Sequence, residues 1–375
     1  VSQTEKLLRE LIALPSVNPA FLPENDPRAG EQRMVDFLAA TAAQAGLDID
    51  LQPVLPGRAN LLARLSPREK TRGRVVLAPH LDTVNGPDNL FTPRKKDGRL
   101  FGRGACDTKG SVAAMMMALC ELGRQPSRPA QTEIVFAGLV DEENGQAGSR
   151  ALAGSRLRAD LAIVGEPTRL QAVTAHKGDL WMIIRTRGLS AHGAQPELGR
   201  NAVHAMARVV DLLETEYAAQ LRRRRHPLLG HATINVGSIR GGTQANIVPD
   251  SCEILVDRRT LPGETEAKVE REIHSFLRKH GLEVTFDRGR LAPCEPMETN
   301  PKLPLVQKFL HSIGQRKPAG VNYFCDASVL SRGGIPSIVF GPGDIAQGHT
   351  ADEWIALDSL ERGKDILLSF LKSLP

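Results

Sequence analysis

The feature that most constrains this chain is a set of short apolar runs, each stopped by a polar, ionisable or turn residue. Leu61-Leu62-Ala63, Val75-Val76-Leu77-Ala78, Ile134-Val135-Phe136-Ala137 and Leu161-Ala162-Ile163-Val164 form the first group, and Ser337-Ile338-Val339-Phe340 repeats the pattern near the C-terminus. Runs of about four apolar residues suit strands buried on both faces, as in a sheet that helices cover on both sides. Helical periodicity over about 4–14, 30–46, 109–124 and 357–373 supplies those helices. The expectation is a layered α/β sheet.

The middle of the chain reads differently. Residues 179–187, 232–239 and 252–258 have strand character, with helical stretches near 199–224 and 264–280. Two helices and about four strands make a small α+β layer. A length of 375 residues also points to more than one domain. The predicted organisation is therefore a catalytic domain in two pieces, 1–177 and 291–375, interrupted by an inserted domain over 178–290.

Composition narrows the function classes. The net charge of +5 is small for this length and is no nucleic-acid footprint, although it mildly favours an anionic substrate. Arg222–Arg225 ends a helical pattern, where cations suit the helix dipole. No run of about 18 apolar residues occurs, so no membrane span is expected. The first residues lack the basic start and apolar block of a secretory signal. The cysteines, Cys106, Cys120, Cys252, Cys294 and Cys325, are odd in number and contain no C-x-x-C, which suits reduced thiols in the cytoplasm.

Ligands of open α/β sheets bind beyond the carboxyl ends of the strands. Those ends here carry His80 and Asp82, then Glu142 and Glu143, then Glu166, and finally the loop holding His349; Asp107 follows the Gly-rich turn Gly102–Cys106. His80 and Asp82 are two apart, so both side chains share a face, and a carboxylate there can orient a metal-bound imidazole. Adjacent Glu142 and Glu143 diverge, so one can bind a metal while the other faces a nucleophile. Taken singly, the Glu pair also suits a solvated loop; buried, it needs cations or partners. The remaining histidines, His176, His204, His226, His231, His274, His280 and His311, lack carboxylate-rich partners and read as surface or packing residues. Gly102-x-Gly104 has Asp107 where a dinucleotide fingerprint needs glycine, and Lys109-Gly110-Ser111 is no P-loop. Neither H-E-x-x-H nor G-x-S-x-G occurs.

The strings APHLDTV (78–84), GRGACDTKG (102–110), DEENGQAGS (141–149), VGEPT (164–168), GLSAHGAQPELGRNA (188–202), GGTQANIVPD (241–250), VDRRTLPGE (256–264) and GPGDIAQGHTADE (341–353) together resemble the M20 metallopeptidases. That family includes acetylornithine deacetylase, succinyl-diaminopimelate desuccinylase, aminoacylase and glutamate carboxypeptidases. The resemblance implies a zinc-aminopeptidase-like α/β catalytic domain with an inserted α+β, ferredoxin-like lid that dimerises. It further implies two Zn²⁺ ions, with Co²⁺ able to substitute. Asp107 would bridge them, His80 and Glu166 completing one site and Glu143 and His349 the other. Asp82 would orient His80, Glu142 would be the general base, and His192 would stabilise the oxyanion from a partner subunit. Asn246 and Arg259 would meet the substrate carboxylate, and Gly341 and Gly343 would shape the substrate loop. Glu166, where peptidase-leaning members use Asp, agrees with the deacylase branch. The implied activity is hydrolysis of the amide bond of an N-acyl-L-amino acid. A dipeptidase or glutamate-type carboxypeptidase is the alternative, and a catalytically inactive binding relative is the reading from another class.

Overall fold

The computed structural model describes every residue of the chain except 126, 127, 290, 291 and 293. The residues gather into two compact units. One holds Val1–Thr174, Thr299–Ala319 and Cys325–Pro375; the other holds Ala175–Glu298 and Gly320–Phe324. The boundary expected at 290/291 lies outside the described residues.

The first unit is built on the apolar runs. Gly73–Pro79 pairs in parallel with Thr132–Gly138 on one side and with Leu161–Gly165 on the other, and Leu161–Gly165 pairs in parallel with Ser337–Val339. Arg58–Leu65 and then Asp48–Leu55 extend the sheet in antiparallel fashion beyond Thr132–Gly138. Val75, Val76, Leu77, Ile134, Val135, Phe136, Ala162 and Ile163 are completely buried, so neither face of these central strands meets water. Each such valine, leucine, isoleucine or phenylalanine side chain contributes about 1.5–3 kcal/mol on burial.

The helix Gln3–Ala13 begins at Ser2, whose hydroxyl accepts the Glu5 N–H at 3.0 Å, and buries Leu7, Leu8, Leu11 and Ile12. The spacing predicts an amphipathic helix over 109–124; Lys109–Gly123 is instead buried almost all round. Gln3–Ala13, Leu357–Lys372 and the strands Gly73–Pro79 and Thr132–Gly138 all pack on it, and a helix so enclosed has no solvated face to make polar. Its first residue, Lys109, donates 2.8 Å hydrogen bonds to the main-chain carbonyls of Leu11 and Leu14, which caps the end of the first helix.

The second unit runs strand, helix, strand, strand, helix, strand. The strands are Gly178–Arg187, Thr233–Gly241, Ser251–Thr260 and Thr285–Arg288. A helix Ala202–Leu212 continues through a π-type turn, Leu213–Tyr217, into Ala218–Arg223, and Glu266–Lys279 is the second helix. All pairings are antiparallel, in the order Thr233–Gly241, Ser251–Thr260, Gly178–Arg187, Thr285–Arg288. That is the ferredoxin-like arrangement expected for the middle of the chain. In Ser251–Thr260 the alternation is strict: Cys252, Ile254 and Val256 are buried while their neighbours are partly exposed. Among the described residues no helix is long and apolar enough to cross a membrane.

Candidate metal centre

Parallel strands end on the same edge, and this places the ionisable residues together. His80 follows Gly73–Pro79 and bridges to Leu139, which follows Thr132–Gly138; Glu166 follows Leu161–Gly165. Asp107 enters from the turn after Arg99–Phe101, and the Thr108 hydroxyl donates to the Gly165 carbonyl at 2.8 Å, tying that turn to the strand end before Glu166. Gly104 in this turn has φ +79°, and a Cβ there would lie 2.9 Å from Thr83 Cγ2, so only glycine suits the position.

Asp107 stands between two imidazoles. Its Oδ1 is 3.2 Å from His80 Nε2, and its Oδ2 is 3.3 Å from His349 Nε2. Each imidazole has a second carboxylate of its own: Glu166 Oε1 lies 3.9 Å from His80 Nε2, and Glu143 Oε1 lies 3.1 Å from His349 Nε2. Ligand atoms of His80, Asp107 and Glu143 all fall within 4.8 Å of one another. His80 Nδ1 is 3.0 Å from the main-chain carbonyl of Asp82 and 3.5 Å from its carboxylate, so the carbonyl is the nearer acceptor fixing the tautomer.

The Asp82 carboxylate also holds other groups. It accepts the main-chain N–H groups of Glu142 and Glu143 at 3.0 and 3.1 Å and the Asn18 side-chain amide at 2.7 Å. Asn18 also donates to Asp141 at 3.0 Å, and Asp141 receives Arg58 Nη1 at 3.2 Å. Arg58 in turn grips fully buried Glu31 with two bonds of 2.7 and 2.6 Å. Asp141 has φ +70°, a left-handed conformation uncommon outside glycine, and this network holds it there. The 141–143 loop is therefore fixed by groups far away in sequence.

The electrostatics of the cluster are lopsided. Burial pushes the Glu142 and Glu166 carboxyls well above the usual range and raises Glu143, while burial lifts Asp326 to about 6. Burial opposes protonation of His80, yet the Asp107 and Asp82 carboxylates and the charges of Glu166 and Glu142 hold it well above normal. The hydrogen bond that His349 donates to the Glu143 carboxylate pushes the imidazole up to about 9. Two imidazoles cannot neutralise Asp82, Asp107, Glu142, Glu143, Glu166 and Asp326, and buried charges are tolerated only when compensated. Cations would supply that compensation, displacing the protons these shifts call for. Nitrogen and oxygen donors at this spacing fit zinc and related divalent ions.

The other sequence-predicted residues are placed as follows. A Cβ on Gly341 would lie 2.3 Å from Ser111 Oγ and 2.6 Å from the Glu166 carbonyl oxygen; on Gly343, at φ +89°, it would lie 2.6 Å from Cys106 Sγ. Both glycines thus permit close approach to the turns bearing Glu166 and Asp107. His192, Asn246 and Arg259 belong to the second unit. His192 and Asn246 adjoin: the Gly193 N–H donates to the Asn246 carbonyl at 2.8 Å. His192 is exposed, and its Nδ1 accepts the Ala194 N–H at 3.1 Å, which leaves the proton on Nε2. Arg259 is held by Asp257 at 2.9 Å and lies 3.6 Å from Asp179. Sequence reasoning missed Asn18, Glu31, Arg58 and Glu353, whose partners lie far along the chain. Only Glu353 carried a signal, as the last residue of the GPGDIAQGHTADE string.

The model of peptidase family M20/M25/M40 matches residues 76–373. Acetylornithine deacetylase of Edwardsiella ictaluri is 32% identical over 97% of this chain and 96% of its own length, and that of Proteus mirabilis is 32% identical over 96% and 94%. Aminopeptidase PepT of Bacillus cereus shares the fold with a TM-score of 0.77 at 22% identity, covering 99% of this chain and 97% of its own. A dinuclear metal binding M20 peptidase of Bacillus subtilis superposes with a TM-score of 0.70 at 14% identity, covering 98% and 96%.

Proposed function

This chain belongs to peptidase family M20/M25/M40, and from that premise we propose that it is a two-zinc hydrolase of N-acyl-L-amino acids, similar to acetylornithine deacetylase. The observation that carries the reading is Asp107, whose two oxygens each face a different imidazole, each imidazole having its own second carboxylate. In this assignment Asp107 would serve both ions, His80 and Glu166 would complete one set of ligands, and Glu143 and His349 the other. When bound, the ions supply Lewis-acid polarisation of the amide carbonyl and an acidified water.

The protein's own groups do the rest. Glu142 is not among the ligands, and burial raises its proton affinity, which suits a general base that accepts a proton from the attacking water and returns it to the leaving amine. Asp82 aims that base by holding the Glu142 and Glu143 N–H groups. His192, with its proton on Nε2, is the oxyanion donor. We place it in the site of a partner subunit of a homodimer. Asn246, Arg259 and the loop at Gly341 and Gly343 receive the substrate carboxylate and acyl group. All five cysteines are buried and unbridged, which supports a cytoplasmic setting.

Two experiments test this. A panel of acetyl-, succinyl- and formyl-amino acids with dipeptides, scored by released amine, should show acyl-amino acids turned over and dipeptides poor. Preference for dipeptides would replace the deacylase reading with a dipeptidase. For the dimer, mixing His192→Ala with Glu142→Ala under subunit exchange should restore about a quarter of wild-type activity, because half the dimers are mixed and each has one intact site. No recovery despite proven exchange would return His192 to its own subunit.

A further inference from the structure

Glu353 is fully buried, four residues after His349, and its carboxylate is inserted into the turn that presents Asp107. Oε2 accepts Arg103 Nη1 at 2.8 Å and the Gly104 N–H at 3.0 Å. Oε1 accepts the Cys106 N–H at 2.9 Å and the Asp107 N–H at 3.0 Å. Main-chain N–H groups converging in this way form an anion-binding concavity. Here the anion is a side chain of the same unit, and nearly buried Arg103 is its counter-charge. The Gly102 N–H also donates to the Glu353 carbonyl at 3.0 Å, so both the main chain and the side chain of Glu353 are pinned to the turn. The two segments touch at the ligands as well, since a Cβ on Gly348 would lie 3.0 Å from Asp107 Oδ2.

We infer that Glu353 is a positioning residue for the metal centre: it locks the Asp107 turn to the His349 loop, so that Asp107 presents one oxygen to each imidazole. Its carboxylate bonds to Arg103 and to three main-chain N–H groups, so it acts on Asp107 through the main chain. Asp107 and His349 come from distant parts of the chain; Cys106 Sγ on the Asp344 carbonyl and the pairing of Trp354–Ala356 with Arg99–Phe101 also join these segments, but Glu353 is bonded to the Asp107 N–H itself. Its removal therefore loosens both ions together, because the bridging ligand and one terminal ligand lose their common anchor. This rests on reading the cluster as a metal centre.

The test is metal affinity, measured by competition with a chromophoric chelator for Zn²⁺ and Co²⁺, with the visible spectrum of the Co²⁺ protein and the melting temperature of the metal-free protein. Glu353→Gln offers one acceptor oxygen and an amide NH₂ to a nest of donors. It should bind both metals about 10–100-fold more weakly and alter the Co²⁺ spectrum, in the range typical of lost outer-shell support. Glu353→Asp keeps the charge but is one methylene short, so it should fall between the two; it is the variant to read if Glu353→Gln does not fold. Phe309→Leu, in the aromatic core with Phe340 and Phe370, lowers stability without touching the turn and should keep wild-type affinity. Wild-type affinity and spectrum in Glu353→Gln would overturn the inference, as would equal metal loss in Phe309→Leu. Failure of the wild-type chain to take up metal would sink the metal-centre reading and this inference with it, whereas wild-type uptake with an unaffected Glu353→Gln sinks the inference alone.

Discussion

Gly341→Ala is the substitution whose effect can be worked most directly from the coordinates. The added Cβ would meet Ser111 Oγ at 2.3 Å and the Glu166 main-chain carbonyl at 2.6 Å, against an ordinary contact distance of 3.4 Å or more. The Ser111 hydroxyl can rotate away, and being buried without a hydrogen-bond partner among the described residues it loses little by doing so. The Glu166 carbonyl has no such freedom. It ends a strand paired in parallel on both sides, with Gly73–Pro79 and Ser337–Val339, and about 0.8 Å must come from moving that strand end or the Gly341 loop. Overpacking of this kind costs about 1–3 kcal/mol of stability. A displacement near 1 Å at a group that positions the reaction costs roughly a hundredfold in rate. The variant should therefore melt several degrees lower, bind metal more weakly and lose about two orders of magnitude in kcat/KM, while Ser111→Ala stays close to wild type in all three. Measured by thermal unfolding, metal competition and steady-state kinetics, a Gly341→Ala protein with wild-type kcat/KM would show that the close approach of this loop to Glu166 is no part of the working site.

Two further outcomes follow from the same geometry. Glu143→Ala should lose metal together with activity, whereas Glu142→Gln should keep its metal and lose at least about a hundredfold in turnover; metal analysis of both variants checks this, and reversed metal contents would exchange the roles. In the second unit, burial lowers the pKa of His176 from 6.5 to about 4. The unfolded chain then binds the extra proton between these values, so stability should rise by about 3 kcal/mol from pH 4 to 6.5 on this account alone. Urea unfolding across that range should show a shallower slope for His176→Gln; identical slopes would refute the assignment.

How far the sequence could be read depended on the range of the interactions. The central strands were legible because runs such as Val75–Ala78 and Ile134–Ala137 are apolar on both faces, and their shared parallel direction brings His80, Glu142, Glu143 and Glu166 to one edge. The edge strand Asp48–Leu55 was not, since it is largely exposed and contains Pro53. Short helices such as Ala147–Gly154 and Ala327–Arg332 escaped because they span too few turns for a period to register. The helix Lys109–Gly123 is legible from its residues, but its enclosure on all sides is a tertiary fact that they do not carry. The same limit applies to the site. Residue type and spacing pick out the candidate ligands, but Glu31 meeting Arg58, Asn18 joining Asp82 to Asp141, and Glu353 entering the Asp107 turn exist only once the chain is folded.

On the proposed assignment the carboxylates crowded around Asp107 hold two metal ions that the hydrolysis requires. Elemental analysis of the purified chain, paired with N-acetyl-amino-acid hydrolysis before chelation, after chelation and during stepwise return of Zn²⁺, tests it most directly. The expected result is two zinc ions per chain, loss of activity on stripping, and recovery that follows the metal returned. Undiminished hydrolysis by metal-free protein in excess chelator would contradict it.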